Sequence, residues 1–434
     1  MEIFMKVTGI IAEYNPFHRG HEYQIKFIKE TLRSDYVVAV MSGDYVQRGT
    51  PALLSKHVRA EMALRCGADL VLEMPVSIST ASAEAFAMGG VSILQGLGVV
   101  DDLCFGSESG EITAIKELAQ ILSEEPDEYK QLLKAFLSEG LSFPAARSQA
   151  LIEYFRNPRN FPGDDFDGVL TPLLNQISRI LSSPNNILGV EYCKALYRLN
   201  SNIKPVTLQR KGMGYHEKVQ ADGSDIYKEF FASASAIREM ISRESNNLNY
   251  HQIAEQVPEE ISFLLEKNLT NGSFLTEDSL DTLLLYCLFK ADTSDLIKYM
   301  DVSKDIAERI INRRNEISGF SQAAALLKTK ETTQTRLQRA LLHIILGIQA
   351  APEQVPYARV LGFKKSSSML LKEIKNQGTI PLLTKLADAE SILDKNGFQL
   401  LQETTFASNL YEKLLCQKNN KSFVHEYQKE IIIL

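Results

Sequence analysis

The stretch that most constrains this chain is the run of residues 9–25, G-I-I-A-E-Y-N-P-F-H-R-G-H-E-Y-Q-I. The apolar residues at its start predict a β-strand that is buried on both faces, as in a parallel sheet. Pro16 disfavours helical backbone at the residue before it, so the strand is expected to break sharply there. A helix is predicted to begin near His18. The run therefore predicts a strand, a tight turn and a helix in immediate succession.

Two imidazoles lie three positions apart at the start of the predicted helix. This spacing places His18 and His21 on one face, at the end where backbone N–H groups have no partner within the helix. Such an end attracts anions. Gly20 leaves room for a flat group to approach the backbone. The pattern therefore favours a site for a nucleotide and its phosphates; two surface histidines at a helix start are the alternative.

Further apolar runs alternate with predicted helices along the first half of the chain. Strands are predicted over residues 36–41, 69–74, 99–105 and 203–209. Alternation at this spacing predicts an α/β fold with a Rossmann-like, doubly wound parallel sheet. Ligands of such sheets bind beyond the carboxyl ends of the strands, where the strand order reverses. The turn that carries the two histidines is expected at that edge.

The second half of the chain has a different pattern. From about residue 256 onward we predict no strands, and runs such as L-D-T-L-L-L-Y-C-L-F have apolar residues at helical spacing. We therefore predict two domains: an α/β domain over residues 1–250 and an all-helical domain over residues 256–434.

The composition narrows the class of protein. Of the 434 residues, 44% are hydrophobic and 23% charged, which is typical of a globular protein. No stretch of about 18 apolar residues is present, so no membrane span is expected. The first residues are too few and too mixed for a signal peptide. The five cysteines lie far apart, which indicates reduced thiols and a cytoplasmic protein, and no metal site of the protein's own is evident.

A second phosphate-binding element is predicted at residues 231–241, F-A-S-A-S-A-I-R-E-M-I. Ser233 and Ser235 precede a predicted helix, where hydroxyl and backbone N–H groups donate well to phosphate. Arg238 is able to bind a phosphate through two parallel hydrogen bonds. An ordinary helix cap with a solvent-facing arginine is the alternative. The phosphate hypothesis requires Arg238 to share a pocket with the two histidines.

The wider motif E-Y-N-P-F-H-x-G-H resembles the HxGH signature of nucleotidylyltransferases and, among them, the bacterial tRNA(Met) cytidine acetate ligase family. The element at residues 233–238 resembles the second motif of the superfamily, I-S-S-T-x-I-R, with Ala232 and Ala234 replacing the Ile and the middle Ser. The resemblance covers nearly the whole chain and is strongest over residues 9–51 and 327–363. It implies a doubly wound sheet of the nucleotidylyltransferase type, with an ATP-binding catalytic domain over residues 1–250 and a tRNA-binding domain over residues 256–434.

This resemblance implies an enzyme that activates acetate with ATP to acetyl-adenylate and releases pyrophosphate. The acetyl group would then pass to the exocyclic amine of the wobble cytidine in elongator tRNA(Met). Mg²⁺ is expected to accompany ATP. The resemblance implies that His18, His21 and Arg238 are catalytic and act on the phosphate oxygens. The expected ATP contacts are Ile11, Ala12, Glu13, Tyr14, Asn15, Pro16, Phe17, His18, Gly20, His21, Gly106, Asn185, Arg210, Ser233 and Ser235.

A basic stretch in the second half is the candidate for contacts with tRNA. Residues 328–375 include nine Lys or Arg against three acidic residues, although the whole protein has a formal net charge of −7. Such a local excess of positive charge suits a phosphate backbone; solvated helix faces are the alternative. The residues expected to contact tRNA are Arg336, Arg339, Lys364 and Lys365.

The polar loop S-G-D-Y-V-Q-R-G-T-P-A-L-L-S-K also resembles that of the family. Arg48 and Lys56 are candidates for contacts with pyrophosphate or with the tRNA. Asp44 is an unexpected carboxylate, because it would repel a triphosphate unless Mg²⁺ bridged the two.

Two other functions fit parts of the sequence. A plain nucleotidylyltransferase that makes a small cofactor would need only the first half of the chain, which leaves the basic helical region unexplained. A non-catalytic RNA-binding protein with a decayed nucleotide fold would not need His18, Gly20, His21 and Arg238, which are all intact. Neither a Walker A motif nor a G-x-S-x-G nucleophile is present. Adenylylation of acetate needs neither, because a carboxylate is already ionised at pH 7.

Overall fold

The computed structural model describes residues 5–160, 174, 177–210, 232–243 and 253–434. Its strands are β1 (Val7–Ala12), β2 (Tyr36–Ser42), β3 (Tyr45–Val46), β4 (Thr50–Pro51), β5 (Leu70–Met74), β6 (Asp102–Ser107), β7 (Lys204–Gln209), β8 (Ala358–Phe363), β9 (Leu382–Leu383) and β10 (Ile432–Ile433). In these residues, eight strands form one sheet in the order β10-β8-β5-β2-β1-β6-β7, with β9 beside β8, and β3 and β4 form a separate hairpin. Neighbouring strands along the path β5-β2-β1-β6-β7 are parallel. The order of the strands reverses between β1 and β6. The predicted α/β class with a doubly wound parallel sheet is confirmed.

Helices surround the sheet and fill most of the region after residue 256. In the first half they are α1 (Arg19–Glu30), α2 (Lys56–Arg65), α3 (Val76–Ser79), α4 (Ala83–Gly96), α5 (Ile112–Glu124), α6 (Asp127–Ser138), α7 (Phe143–Arg156), α8 (Pro184–Arg198) and α9 (Ala234–Arg243). They continue as α10 (Glu259–Thr270), α11 (Asp281–Lys290), α12 (Thr293–Leu296), α13 (Lys304–Arg313), α14 (Phe320–Leu327), α15 (Gln334–Leu346), α16 (Ser368–Gln377), α17 (Ala389–Ile392) and α18 (Lys395–Asn419).

The two faces of the sheet belong to different hydrophobic cores. Ile11 and Val40 lie in a core that includes residues of α4, α5 and α8. Their chain neighbours Ile10 and Ala39 lie in another core, with residues of α1, α2, α9 and α10. Successive residues of a strand point to opposite faces, so a strand buried on both sides reads as a continuous apolar run. This is why these strands were recognisable in the sequence.

The prediction that no strand follows residue 256 is wrong. β8 pairs antiparallel with β5, and β9 and β10 both pair with β8. Residues from Val355 to Leu401 also lie in the same core as α4 and α5. β8 was missed because its sequence, A-R-V-L-G-F, contains an arginine and a glycine, neither of which is typical of a central strand. The exclusively helical part of this region runs from Glu259 to Leu346, and the predicted boundary at residues 250–256 falls partly outside the described residues.

A buried ionic network connects the C-terminal segment of the chain to the sheet. Lys56 lies 2.7 Å from Glu73 and 2.8 Å from Glu426, and Arg359 on β8 pairs with the same two carboxylates. These four residues are at most 5% exposed. Burial alone would raise the pKa of Glu426, but Lys56, Arg359 and His57 hold this pKa well below its usual value. Each charge in the network therefore depends on the others for compensation.

We expect E426Q to lower the free energy of unfolding by about 3–5 kcal/mol, because it leaves buried cations uncompensated. Since the folded protein lowers the pKa of Glu426, its stabilising contribution is full above the usual value of 4.5 and declines as pH falls below it. Urea unfolding followed by circular dichroism measures the difference. The matched control is E430Q, which changes an exposed carboxylate nearby. Equal unfolding midpoints for the two variants would contradict the expectation.

Candidate active site

His18 and His21 form a capping box at the start of α1. The Nδ1 atom of His18 accepts a hydrogen bond from the backbone N–H of Gly20 at 3.0 Å. The Nδ1 atom of His21 accepts one from the backbone N–H of His18 at 3.2 Å. Because Nδ1 is an acceptor in both rings, each neutral ring carries its proton on Nε2. The box therefore leaves Nε2–H as the donor that each histidine offers to a ligand.

Both rings are held in the neutral form. Burial, assisted by the cations of Arg210 and Arg238, lowers the pKa of His18 to about 3. Burial followed by the charges of His18 and Arg210 places the pKa of His21 well below its usual value. The rings are stacked with their centroids 3.8 Å apart, where two imidazolium cations would repel each other. At neutral pH the pair therefore acts as two uncharged hydrogen-bond donors.

Aromatic residues of the preceding turn pack against His21. The ring of Tyr14 contacts it edge-on at a centroid distance of 4.9 Å, and the ring of Phe17 lies 5.3 Å away. Tyr14 has a φ of +49°, a backbone conformation that bulky residues rarely adopt. These contacts fix the orientation of the His21 ring.

A cavity of about 750 Å³ opens at the carboxyl ends of β1, β6 and β7, at the point where the strand order reverses. Most of the residues expected to bind ATP line it, and so does Arg238. Phe17 is fully buried behind the turn, and neither Pro16 nor Phe17 is among the lining residues. The predicted residues that line the cavity are Ile11, Ala12, Glu13, Tyr14, Asn15, His18, Gly20, His21, Gly106, Asn185, Arg210, Ser233, Ser235 and Arg238.

The start of α9 contacts the turn between β1 and α1. Nη1 of Arg238 donates to the backbone oxygen of Asn15 at 2.6 Å, and Nη2 donates to Oγ of Ser235 at 3.2 Å. Oγ of Ser233 accepts from the backbone N–H of Ala236 at 3.2 Å and so caps the helix. The pocket shared by Arg238 and the two histidines, which the phosphate hypothesis requires, is therefore present. Sequence reasoning did not foresee that Arg238 also binds the turn itself.

A third group of polar residues connects the end of β6 to α8. Asn185 donates to Glu108 at 2.7 Å, and Arg210 donates to Oδ1 of Asn185 at 3.3 Å. The neighbouring Asn186 is 1% exposed and accepts from the backbone N–H groups of Glu108 and Ser109. Asn185 is thus the cavity residue and Asn186 a structural one. Glu108 was not singled out in the sequence, because its role depends on a contact between distant segments.

Another part of the cavity wall comes from the β3–β4 hairpin and α15. It includes Gln47, Arg48, Thr335 and Arg339. Gly49, with a φ of +77°, packs so closely on α15 that a Cβ there would collide with the backbone of Arg339. The hairpin and the helix therefore form one continuous wall, and Arg48 is the predicted loop residue that reaches the cavity.

Two other residues of the polar loop do not reach the cavity. Lys56 is fully buried in the ionic network, so the prediction that it contacts pyrophosphate or tRNA is wrong. Oδ1 of Asp44 accepts from the backbone N–H of Lys56 at 2.8 Å at the start of α2. Asp44 is 5% exposed and is not a lining residue, so its carboxylate does not face a triphosphate.

The residues expected to bind tRNA fall into two groups. Arg339 lines the cavity and pairs with Asp301 at 2.8 Å, and Arg336 on the same helix is exposed. Lys364 and Lys365 follow β8, whose antiparallel direction carries them to the opposite edge of the sheet, beside the amino end of β5. The basic stretch is therefore not one continuous surface.

Neither a membrane span nor a metal cluster occurs in the part of the chain that the structure describes. No helix there has the length and apolar character needed to cross a bilayer. Those residues also include no group of three or more His, Cys, Asp or Glu that could hold a metal ion.

Comparison with known proteins identifies the family. The profile of a family described as HIGH Nucleotidyl Transferase matches residues 5–426. A tRNA(Met) cytidine acetate ligase from Clostridium tetani is 41% identical over 390 residues, which cover 88% of this chain and 91% of the relative. One from Acetivibrio thermocellus is 36% identical over 99% of this chain and 100% of the relative. This chain belongs to the tRNA(Met) cytidine acetate ligase family.

A solved structure agrees with this membership. Thermotoga maritima TmcAL bound with alpha-thio ATP matches the present fold with a TM-score of 0.86 at 28% identity, covering 99% of this chain and 100% of that one. The apo form of the same protein gives a TM-score of 0.87 at 29% identity. The family resemblance drawn from the E-Y-N-P-F-H-x-G-H motif is confirmed.

We expect His18 and His21 to remain neutral, with the proton on Nε2, from about pH 8 to pH 5, because burial and the capping box oppose protonation. Long-range ¹H–¹⁵N correlation spectra of the imidazole rings report both protonation and tautomer. The same protein unfolded in urea is the control, and its histidines are expected to titrate near pH 6.5. A midpoint near 6.5 for either residue in the folded protein would contradict this expectation.

Proposed function

We propose that this ligase converts acetate and ATP to acetyl-adenylate and then acetylates the exocyclic amine of the wobble cytidine in elongator tRNA(Met). The observation that carries the proposal is the pair of neutral Nε2–H donors, His18 and His21, in one cavity with Arg210 and Arg238. Membership of the tRNA(Met) cytidine acetate ligase family supports the choice of acetate and of the RNA. The α-thio ATP bound to the Thermotoga maritima relative supports ATP.

In the first step an acetate oxygen forms a bond to the α-phosphorus of ATP, and the bond from this phosphorus to pyrophosphate breaks. No general base is needed, because acetate is ionised at pH 7. We assign His18, His21 and Arg238 to the phosphate oxygens, where fixed donors stabilise the charge of the transition state. The fourteen cavity residues named above, from Ile11 to Arg238, are the proposed nucleotide site, and Mg²⁺ is expected to arrive on the phosphates of ATP.

In the second step the cytidine amine attacks the acetyl carbonyl of the adenylate. The amide bond forms, the bond to the AMP oxygen breaks, and AMP and a proton are released. The amine has to enter the cavity from a side that the nucleotide does not fill. We propose that the wall formed by the hairpin and α15 receives the RNA, because it provides Arg48 and Arg339 at the cavity. An enzyme that acts on tRNA is expected in the cytoplasm.

The role of the other basic residues depends on how far the RNA extends. Arg336 and Arg339 are proposed to contact the phosphates next to the reacting cytidine. Lys364 and Lys365 lie beyond the far end of β8, a six-residue strand about 20 Å long. A tRNA is long enough to cover both edges, so we propose that these lysines bind a more distant part of its backbone.

The function is tested by incubating the protein with ATP, labelled acetate and total tRNA. Acetate-dependent release of pyrophosphate, with label recovered in tRNA, supports the ligase. Transfer of AMP to a phosphorylated cofactor without acetylation of RNA would instead support a plain nucleotidylyltransferase. RNA binding without any turnover of ATP would support a non-catalytic protein.

We expect H18N to reduce kcat for acetylation about a hundredfold, the typical effect of removing one donor to a transition-state charge. Asparagine is a good N-cap residue, so it replaces the capping acceptor of His18 but not the Nε2–H donor. The thermal midpoint is therefore expected to stay close to that of the wild type. Steady-state kinetics and a melting curve on the same samples separate the two effects. Unchanged kcat in a folded H18N protein would remove His18 from the mechanism.

We expect R336A, R339A and the double variant K364A/K365A each to weaken tRNA binding. Each cation removed from a phosphate should reduce the slope of log Kd against log salt concentration by about 1, so the expected reduction is about 1 for each single variant and about 2 for the double variant. Filter binding at several salt concentrations measures this slope. K130A removes an exposed lysine of α6 and is the control, with no expected change. An unchanged slope for K364A/K365A would confine the RNA to the cavity side of the sheet.

A further inference from the structure

Arg59 is a fully buried arginine on α2, beneath the carboxyl ends of β1 and β2. Its guanidinium makes four hydrogen bonds, and all four go to backbone carbonyls. Nη1 donates to Glu13 at 2.6 Å and to Ser42 at 3.0 Å. Nη2 donates to Gly43, and Nε donates to Leu54 at 2.9 Å. One side chain thus joins the ends of two strands to the loop before α2.

Filling this buried position with a cation costs free energy of folding. A buried charge is destabilising unless compensating groups surround it, and a neutral side chain of similar size would avoid that cost. Burial lowers the pKa of Arg59, as expected for such a site. What the guanidinium supplies, and an apolar residue would not, is a rigid planar fork that fixes several carbonyls at once.

The carbonyls held by Arg59 include one next to the catalytic turn. Glu13 is a cavity residue and directly precedes Tyr14, which has a φ of +49°. Two residues after Glu13, the carbonyl of Asn15 accepts a hydrogen bond from Arg238 at 2.6 Å. Oδ1 of Asn15 also accepts from the backbone N–H of Leu53 at 2.8 Å, and Leu53 precedes the residue bound by Nε of Arg59. The turn is therefore held between two guanidinium groups.

We propose that Arg59 is a positioning residue for ATP. By holding the carbonyl of Glu13 against the end of β2, it sets the path of the turn that leads to His18 and His21. Arg238 holds the other side of the turn and lies in the cavity itself. Arg59 is outside the cavity and acts only through the backbone. This inference rests on the proposed function only in taking ATP as the ligand, and it does not depend on acetate or RNA.

The test compares the same substitution at two buried arginines. R59K keeps the charge, but one ammonium group is too compact to reach the carbonyls of three separate segments. R359K is the matched control, because Arg359 is also buried but binds Glu73 and Glu426 and not the turn. Both variants are expected to unfold at lower temperature than the wild type. Only R59K is expected to lose ATP affinity.

The measurement is the Kd for ATP, without acetate or RNA, at a temperature where circular dichroism shows each variant to be folded. We expect the Kd of R59K to rise about tenfold or more, the effect of losing one well-aligned hydrogen bond to a charged group. The ring signals of His18 and His21 should shift in R59K and remain in place in R359K.

Three results would overturn the proposal: wild-type ATP affinity in folded R59K, an equal loss in R359K, or unchanged histidine signals. If R59K does not fold, R59Q replaces it, since it removes the buried charge and keeps two donors. Failure of both variants to fold would leave Arg59 with a role in stability alone. Absence of ATP binding by the wild-type protein would instead contradict the proposed function, so the two failures are distinguishable.

Discussion

The two hydrogen bonds of the capping box at the start of α1 determine the chemistry that this site offers. A helix must satisfy its first backbone N–H groups, and here the imidazole Nδ1 atoms do so. Satisfying the helix fixes the tautomer of both rings and leaves Nε2–H toward a ligand. A local requirement of the backbone thus leaves two donors available to a ligand. Protonation of either ring at Nδ1 would remove the acceptor and break the cap at that position.

The rest of the molecule holds that helix start in place from several directions. Arg238 reaches it from a segment more than two hundred positions away, and the backbone of Leu53 binds the side chain of Asn15. The hydroxyl of Tyr411 on α18 in turn donates to the carbonyls of Ala52 and Leu53. The loop that binds Asn15 is therefore itself held by α18. This arrangement would place RNA on the proposed wall of the hairpin and α15 next to a nucleotide in the same cavity.

The sequence was informative wherever a local rule is strong. Strands buried on both faces were recognisable from apolar runs, and the histidine turn from a short motif with helix-start geometry. The sequence did not predict the ion pairs between segments that lie far apart in the chain. Lys56 is a candidate for phosphate contacts in the sequence, but the fold pairs it with Glu73 and Glu426. Arg359 argues against a strand at residues 358–363 until the same two carboxylates are seen to pair with it. A charged side chain that is buried in this way pairs with other protein groups and does not contact a ligand. Whether it is buried depends on the whole fold and cannot be predicted from a short stretch of sequence.

The late position of β8 in the chain has a consequence for synthesis on the ribosome. β5 is translated early, yet its neighbour β8 is translated much later, and so are Arg359 and Glu426, which complete the ionic network with Lys56 and Glu73. Until then the growing protein exposes an unpaired strand edge, which invites association with other chains. A polypeptide released before β8 would lack a complete sheet beneath the turn between β1 and α1. An incomplete translation product therefore differs from the full-length protein in having an exposed, unpaired edge on β5.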